Sequence, residues 1–209
     1  MLAAFLFATT VLDDFALIGF VSDINEFVLF DYAKKGLLLV LCLSTASFRR
    51  IARQAFAVPS VPWGGAGWFN PHVLLITAGA FLCDQMIHQA GGYVNWRLGE
   101  LELFQVPPYR DDLVRYLDLS VGLTFNSVVE ELFDRAILLA ALARFFPNLT
   151  LRILIAGLLF GAAHWSQGLV WVAAISAIGW LSCGLYCLTR SIIPGIVVHT
   201  LHNFIVFST

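Results

Sequence analysis

Charged residues are scarce in this 209-residue sequence. Asp, Glu, Lys and Arg together make up 12% of the chain, whereas soluble domains carry about 25%. Hydrophobic residues make up 59%, and the mean hydropathy is +0.83. This imbalance excludes an ordinary soluble domain and predicts an integral membrane protein. Since roughly 20 apolar residues cross a bilayer as a helix, the length accommodates about six to eight spans.

Other features are also missing from the sequence. The net charge is only −2, and Lys and Arg form no basic patch of the kind that binds nucleic acid. The cysteines show no C-x-x-C spacing and all lie inside apolar runs, so we expect them to be small buried apolar side chains. They are Cys42, Cys83, Cys183 and Cys187. We find no internal repeat and no low-complexity segment.

The apolar runs predict an all-α integral membrane protein, a polytopic bundle of about seven transmembrane helices. We treat residues 1–209 as one membrane domain, in which 1–110 carry no motif and 111–209 carry the candidate site. Basic residues cluster in alternate loops, after the second, fourth and sixth spans, which predicts that these loops are cytoplasmic. We expect a multi-pass protein of a prokaryotic cytoplasmic (inner) membrane. The predicted spans are 1–21, 27–48, 73–90, 113–146, 151–165, 168–189 and 192–207.

Four ionisable residues interrupt the fourth span: Glu130, Glu131, Asp134 and Arg135. A charge at membrane depth costs about 2.5–3.5 kcal/mol on insertion scales, so these side chains should face other helices or a water-filled cavity. Glu131 and Arg135 have the i, i+4 spacing of an ion pair, which suggests a structural role. Glu130 has no basic residue one turn away on its own helix. We therefore expect Glu130 to be the reactive carboxylate, a general base.

Histidines occur in two later apolar runs. His164 ends the fifth span, while His199 and His202 lie in the seventh, where Asn203 is one turn from His199. A single such histidine is often a hydrogen-bonding contact between helices, but three helices offering polar groups together favour a site. At 1.5 Å per residue, Glu130, His164 and Asn203 lie roughly 18–21 Å of helix from the arginines at the end of their own spans. They can therefore share one level in the membrane.

Three motifs on these late helices resemble those of the CPBP family. That family contains the CAAX-type prenyl-protein endopeptidases and the bacteriocin-processing or immunity relatives called ABI proteins. The resemblance covers residues 130–203 and implies an intramembrane endopeptidase of the glutamic type. The motifs are Glu130-Glu131-x-x-x-Arg135, Phe160-x-x-x-His164 and His199-x-x-x-Asn203.

The resemblance also implies a role for each motif residue. Glu130 and His164 would activate the attacking water. His199 and Asn203 would donate hydrogen bonds to the oxyanion of the tetrahedral intermediate. Supporting positions would be taken by Glu131, Arg135 and Phe160.

The resemblance implies no cofactor and no metal, but the residues leave alternatives open. Glu130, His164 and His199 would also suit a zinc site with one position for water, although no H-E-x-x-H is present. A non-enzymatic immunity or scaffold protein on the same fold is a second alternative. A proton-coupled transporter ranks last, because inverted repeats and broken helices are not seen.

Several predictions concern partners and secondary contacts. We expect a membrane-anchored or lipidated protein as substrate, surrounded by lipids and without nucleic acid. Cytoplasmic arginine loops would place the site nearer the outer face, which favours trimming the C-terminal anchor of an exported protein. Asp84 and His88, one turn apart, are predicted to hydrogen-bond each other. Lys34 and Lys35 are predicted to reach an interface or to pair with Asp31 or Asp14.

Overall fold

The computed structural model describes residues 23–99, 103, 109 and 111–208. The predicted first span, with Asp14, lies outside the described residues. Those that are described are almost entirely helical, which confirms the all-α prediction. The separate helices are α1 (Ile24–Leu43), α2 (Ala46–Ala55), α3 (Pro71–Leu98), α7 (Leu149–Ala162), α8 (Leu169–Thr189) and α9 (Ile193–Ser208).

Residues 112–142 form one continuous helical run, which carries the first motif and is called the motif helix below. It consists of α4 (Asp112–Leu117), α5 (Leu123–Glu130) and α6 (Leu138–Leu142), joined by two π-helical segments, Asp118–Gly122 and Glu131–Ile137. π-Helical turns insert an extra residue and are frequent at functional sites. The sequence predicts this helix but not its irregularity, and the change to π geometry falls between Glu130 and Glu131.

Local sequence signals explain where α1 ends and where α3 begins and ends. Asn70 caps the start of α3, because its side chain accepts hydrogen bonds from the backbone N–H groups of His72 and Val73. Gly99 ends the helix at φ 62°, a left-handed conformation that suits glycine. Arg49 lies in α2, where a loop was predicted, and its guanidinium donates to the carbonyls of Leu43 and Ser44 at the end of α1.

The turn-rich segment between α2 and α3 forms a small antiparallel hairpin of β1 (Ser60–Val61) and β2 (Gly65–Ala66). Trp63 and Trp68, in and after this hairpin, are both exposed. Exposed tryptophan near a helix end is typical of a membrane interface.

Small residues on α7, Gly157 and Gly161, bring α7 and α8 into close contact. A Cβ atom added to Gly157 would lie 2.0 Å from Cδ1 of Trp180. One added to Gly161 would lie 2.0 Å from Oγ of Ser176. Helix α8 also packs on α3, and α9 packs against both α3 and α5. The last helices therefore surround the motif helix.

Within the described ranges, two helices are long and apolar enough to cross a membrane, α3 and α8. Helices α7 and α9 are apolar but shorter, so a bundle of seven spans is not confirmed. Helix α3 exposes large apolar side chains along one face, including Leu75, Leu82 and Met86. A contiguous apolar surface of this kind would be a liability in water, and it suits contact with lipid.

Candidate active site

Glu131 and Arg135 form a buried ion pair at the centre of the site. The Arg135 Nη2 atom lies 3.3 Å from Oε1 of Glu131, and both residues are at most 1% exposed, which confirms the pair predicted from i, i+4 spacing. The Arg135 guanidinium also lies over the Phe160 ring, with Cζ 4.1 Å from the ring centroid. That cation–π contact ties the first motif to the second.

His199 lies between the two glutamates. Its Nδ1 atom is 3.1 Å from Oε1 of Glu131, and its Nε2 atom is 3.5 Å from Oε2 of Glu130. An ionised carboxylate only accepts hydrogen bonds, so a ring with carboxylates on both sides is best satisfied when both nitrogens carry a proton. The geometry therefore suits an imidazolium whose Nε2–H points toward Glu130.

Helix α9 approaches Glu131 closely at a glycine. A Cβ atom added to Gly195 would lie 2.5 Å from Oε2 of Glu131. Gly195 is one turn before His199, so this close approach is what allows the His199 ring to reach Glu131. Asn203, one further turn along α9, is buried at 8% exposure.

His164 follows the end of α7 and is half-buried. Its Nδ1 atom lies 2.9 Å from the backbone carbonyl oxygen of Phe160. Because that oxygen can only accept, Nδ1 carries the proton and Nε2 of the neutral ring is the acceptor. The Phe160 ring meets the His164 ring edge to face, with centroids 5.0 Å apart, and His164 lies within electrostatic range of Glu130.

A basic residue on α1 also contacts the reactive glutamate. The Lys35 Nζ atom lies 3.1 Å from Oε1 of Glu130 and 2.7 Å from Oδ2 of Asp31, and it also donates to Oδ1 of Asn126. The sequence offers Glu130 no basic partner one turn away on its own helix, and the partner comes from another helix. One signal was available, because a lysine inside an apolar run is itself a functional candidate.

The predicted pairing of Lys34 and Lys35 with Asp31 is confirmed, with N–O distances of 3.3 Å and 2.7 Å. The predicted pairing of Asp84 with His88 is wrong. Oδ2 of Asp84 lies 2.5 Å from Nδ1 of His202 on α9. The packing of α9 on α3 places His202 against Asp84, and the His88 ring instead meets the His202 ring edge to face at 4.9 Å.

The described residues contain no group of three His, Cys, Asp or Glu side chains placed as metal ligands. Both ring nitrogens of His199 face glutamates, and Nδ1 of His164 faces a carbonyl. The geometry thus offers a carboxylate, Glu130, with histidines close to it. Such a set can transfer protons and stabilise negative charge.

A comparison with protein families matches residues 113–205 to "Rce1-like: Type II CAAX prenyl endopeptidase Rce1-like". Over these residues the chain is similar to the Rce1-like family. The matched segment is a little under half of the chain, and it contains every residue of the three motifs. Rce1-like proteins are integral membrane proteases. Lys35 and Asp31 lie outside the Rce1-like match. Comparisons with curated proteins and with solved structures give no match.

Proposed function

We propose that this protein is an intramembrane endopeptidase of the glutamic type, which hydrolyses a peptide bond near the C-terminus of a membrane-associated protein. One observation carries the proposal: Nε2 of His199 lies 3.5 Å from Oε2 of Glu130. Both residues lie inside a segment that matches a family of CAAX endopeptidases.

Glu130 and Nε2 of His164 are the groups that activate water. A water molecule held between them loses a proton to the Glu130 carboxylate, and the resulting hydroxide attacks the scissile carbonyl carbon. The C–N bond then breaks, and the proton held by Glu130 passes to the leaving amine. His164 suits this task because its Nδ1–H is held by the Phe160 carbonyl at 2.9 Å, which keeps Nε2 as an acceptor.

His199 and Asn203 are the donors to the oxyanion. The Nε2–H of an imidazolium is a strong donor, and the Asn203 amide is one turn further along the same helix face. Donors that are fixed before the reaction stabilise developing negative charge without reorganisation. Glu131 supports this arrangement, because its Oε1 atom holds Nδ1 of His199 at 3.1 Å while Arg135 fixes the carboxylate.

The substrate is proposed from the predicted topology. A bundle of about seven spans with its arginine loops in the cytoplasm places the site nearer the outer face of a prokaryotic inner membrane. That position favours removal of the C-terminal anchor of an exported protein, whereas a prenylated CAAX substrate would come from the cytoplasm. A membrane-impermeant thiol reagent, applied to one side of the membrane at a time, tests the orientation in a Gln167→Cys variant. Labelling solely from the cytoplasmic side would contradict the proposed orientation.

Glu130→Gln and His164→Ala variants test the activity. We expect the C-terminal peptides of a co-expressed anchored protein to stay uncleaved in both variants, as read by mass spectrometry, while an exposed carboxylate change, Asp112→Asn, leaves cleavage intact. Folded, inserted variants that still cleave would contradict the mechanism. If no peptide differs even between wild type and a strain lacking the protein, the non-enzymatic immunity or scaffold role is favoured. A zinc-dependent version is tested by chelation, which should leave turnover unchanged.

A further inference from the structure

Seven charged side chains at the site alternate in sign from α1 to the motif helix. Each neighbouring pair joins opposite charges, taking His199 as an imidazolium, with N–O distances between 2.7 Å and 3.5 Å. Alternation of this kind is how charges are accommodated away from water, because each charge lies next to one of opposite sign. In order, the chain is Lys34, Asp31, Lys35, Glu130, His199, Glu131 and Arg135.

Lys35 joins the two halves of this chain. An ammonium group has three donors and no acceptor, and the Lys35 Nζ atom has three oxygen partners. They are Oδ2 of Asp31 at 2.7 Å, Oε1 of Glu130 at 3.1 Å, and Oδ1 of Asn126. The lysine side chain is 13% exposed. A largely buried ammonium whose three donors all have oxygen partners is a built site rather than a side chain that reaches for an interface.

Each oxygen of the Glu130 carboxylate faces a different cation. Oε1 faces Lys35 and Oε2 faces His199. This arrangement fixes the plane of the carboxylate and stabilises its charged form, which is the form that a general base needs. Without Lys35, Oε1 would lose its ammonium partner in a region with little water, and the carboxyl group would be free to rotate and to take up a proton.

We infer that Lys35, on a helix outside the family match, is a positioning residue that holds Glu130 charged and oriented for water activation. The inference rests on the proposed function and extends it, because α1 then completes the active site. Asp31 is the counter-charge that lets the ammonium stay beside Glu130 without leaving an unbalanced positive charge.

Substitutions at Lys35 test the role of its charge. Lys35→Met keeps the length of the side chain and removes the ammonium, so kcat should fall by about 10²-fold or more, while KM stays within about threefold because no substrate contact is lost. Lys35→Arg keeps the charge and should retain most of kcat. Arg144→Met is the control, since it also replaces a basic side chain with methionine, but at an exposed position outside the charge chain; its kcat should stay near that of wild type.

Chemical rescue separates charge from folding. When Lys35→Cys is treated with 2-bromoethylamine, the thiol loses its proton to the buffer, its sulfur forms a new S–C bond, and the C–Br bond breaks to release bromide. The product is a lysine analogue with its ammonium group. Cleavage should return on treatment, while wild type, treated in parallel to control for its own cysteines, should not gain activity. A labelled variant that stays inactive although its mass shows complete modification would overturn the inference.

The outcomes distinguish this inference from the proposed function. If Glu130→Gln is inactive and Lys35→Met turns over like wild type, the protease stands and the role of Lys35 is refuted. If Glu130→Gln is fully active, the proposed function fails. Thermal unfolding of Lys35→Met, Glu130→Gln and the double variant gives a readout that needs no activity. The two losses in Tm should fail to add, and additive losses would refute the contact.

Discussion

A methyl group at Gly195 should misplace the histidine that lies between the two glutamates. Alanine normally stabilises a helix by about 0.5–1 kcal/mol relative to glycine. In Gly195→Ala, however, the new Cβ atom would lie 2.5 Å from Oε2 and 3.2 Å from Cδ of Glu131. The carboxylate cannot swing away freely, because Arg135 and His199 hold its other oxygen at 3.3 Å and 3.1 Å. Helix α9 must therefore move by about 1 Å to restore ordinary contact.

The cost of that movement can be estimated. Overpacking of a close-packed site costs about 1–3 kcal/mol, which equals or exceeds the helix preference of alanine. Gly195→Ala should therefore lower the free energy of unfolding by roughly 0–2.5 kcal/mol. The effect on cleavage should be larger. A displacement of about 1 Å at a catalytic group costs about 10²-fold in rate, and His199 is one turn from the substituted position.

The assay compares two glycines in neighbouring helices. Gly184 lies in α8, and a Cβ atom added there meets nothing within 4 Å, so Gly184→Ala should be as active as wild type and at least as stable. Thermal unfolding in detergent and cleavage of the anchored substrate are measured for both variants. Equal stability and equal turnover of Gly195→Ala and Gly184→Ala would refute the close approach of α9 to Glu131.

Two further predictions concern the buried ionic contacts. Arg135→Met leaves the Glu131 carboxylate without its cation and should lower the free energy of unfolding by about 3–5 kcal/mol. Arg144 is exposed, so Arg144→Met should cost little. Equal losses in unfolding experiments would show that the Glu131–Arg135 pair is not buried. Asp84→Leu removes the hydrogen-bond acceptor of His202 and should lower the free energy of unfolding by about 1–3 kcal/mol. Asp84→Asn keeps an acceptor oxygen and should lower it less. A leucine variant as stable as the asparagine variant would contradict the contact between Asp84 and His202.

Helix positions that depend on local signals were predicted well. The predicted spans 168–189 and 192–207 differ by one residue at most from α8 (Leu169–Thr189) and α9 (Ile193–Ser208). These runs are bounded by Gly168 and Arg190, both at positive φ, and by a proline in the first turn of α9. The Glu131–Arg135 pair was predicted for the same reason, since its spacing is local.

Contacts between distant parts of the chain were not predicted. Lys35 meets Glu130 across 95 positions of sequence and Asp84 meets His202 across 118, and no periodicity within one helix indicates either contact. The π-helical segments were missed because an extra residue in a turn has no signature in the apolar pattern. Helix-rise arithmetic also placed Asn203, rather than His199, at the level of Glu130. Tilted packing of helices makes such levels approximate.

The three motifs by themselves do not make the site. Leu132 and Ala136, in the π-helical segment, are buried against Ala52 and Ala55 of α2. The Ala55 carbonyl also accepts the backbone N–H of Ile192 at 2.9 Å, just before α9 begins. Helix α2 therefore fixes both the segment that carries Glu131 and the start of the helix that carries His199. Helix α1 also brings Lys35 into contact with Glu130. The N-terminal part of the chain, which carries no motif, therefore both buries the motif helix and supplies a charge to the active site.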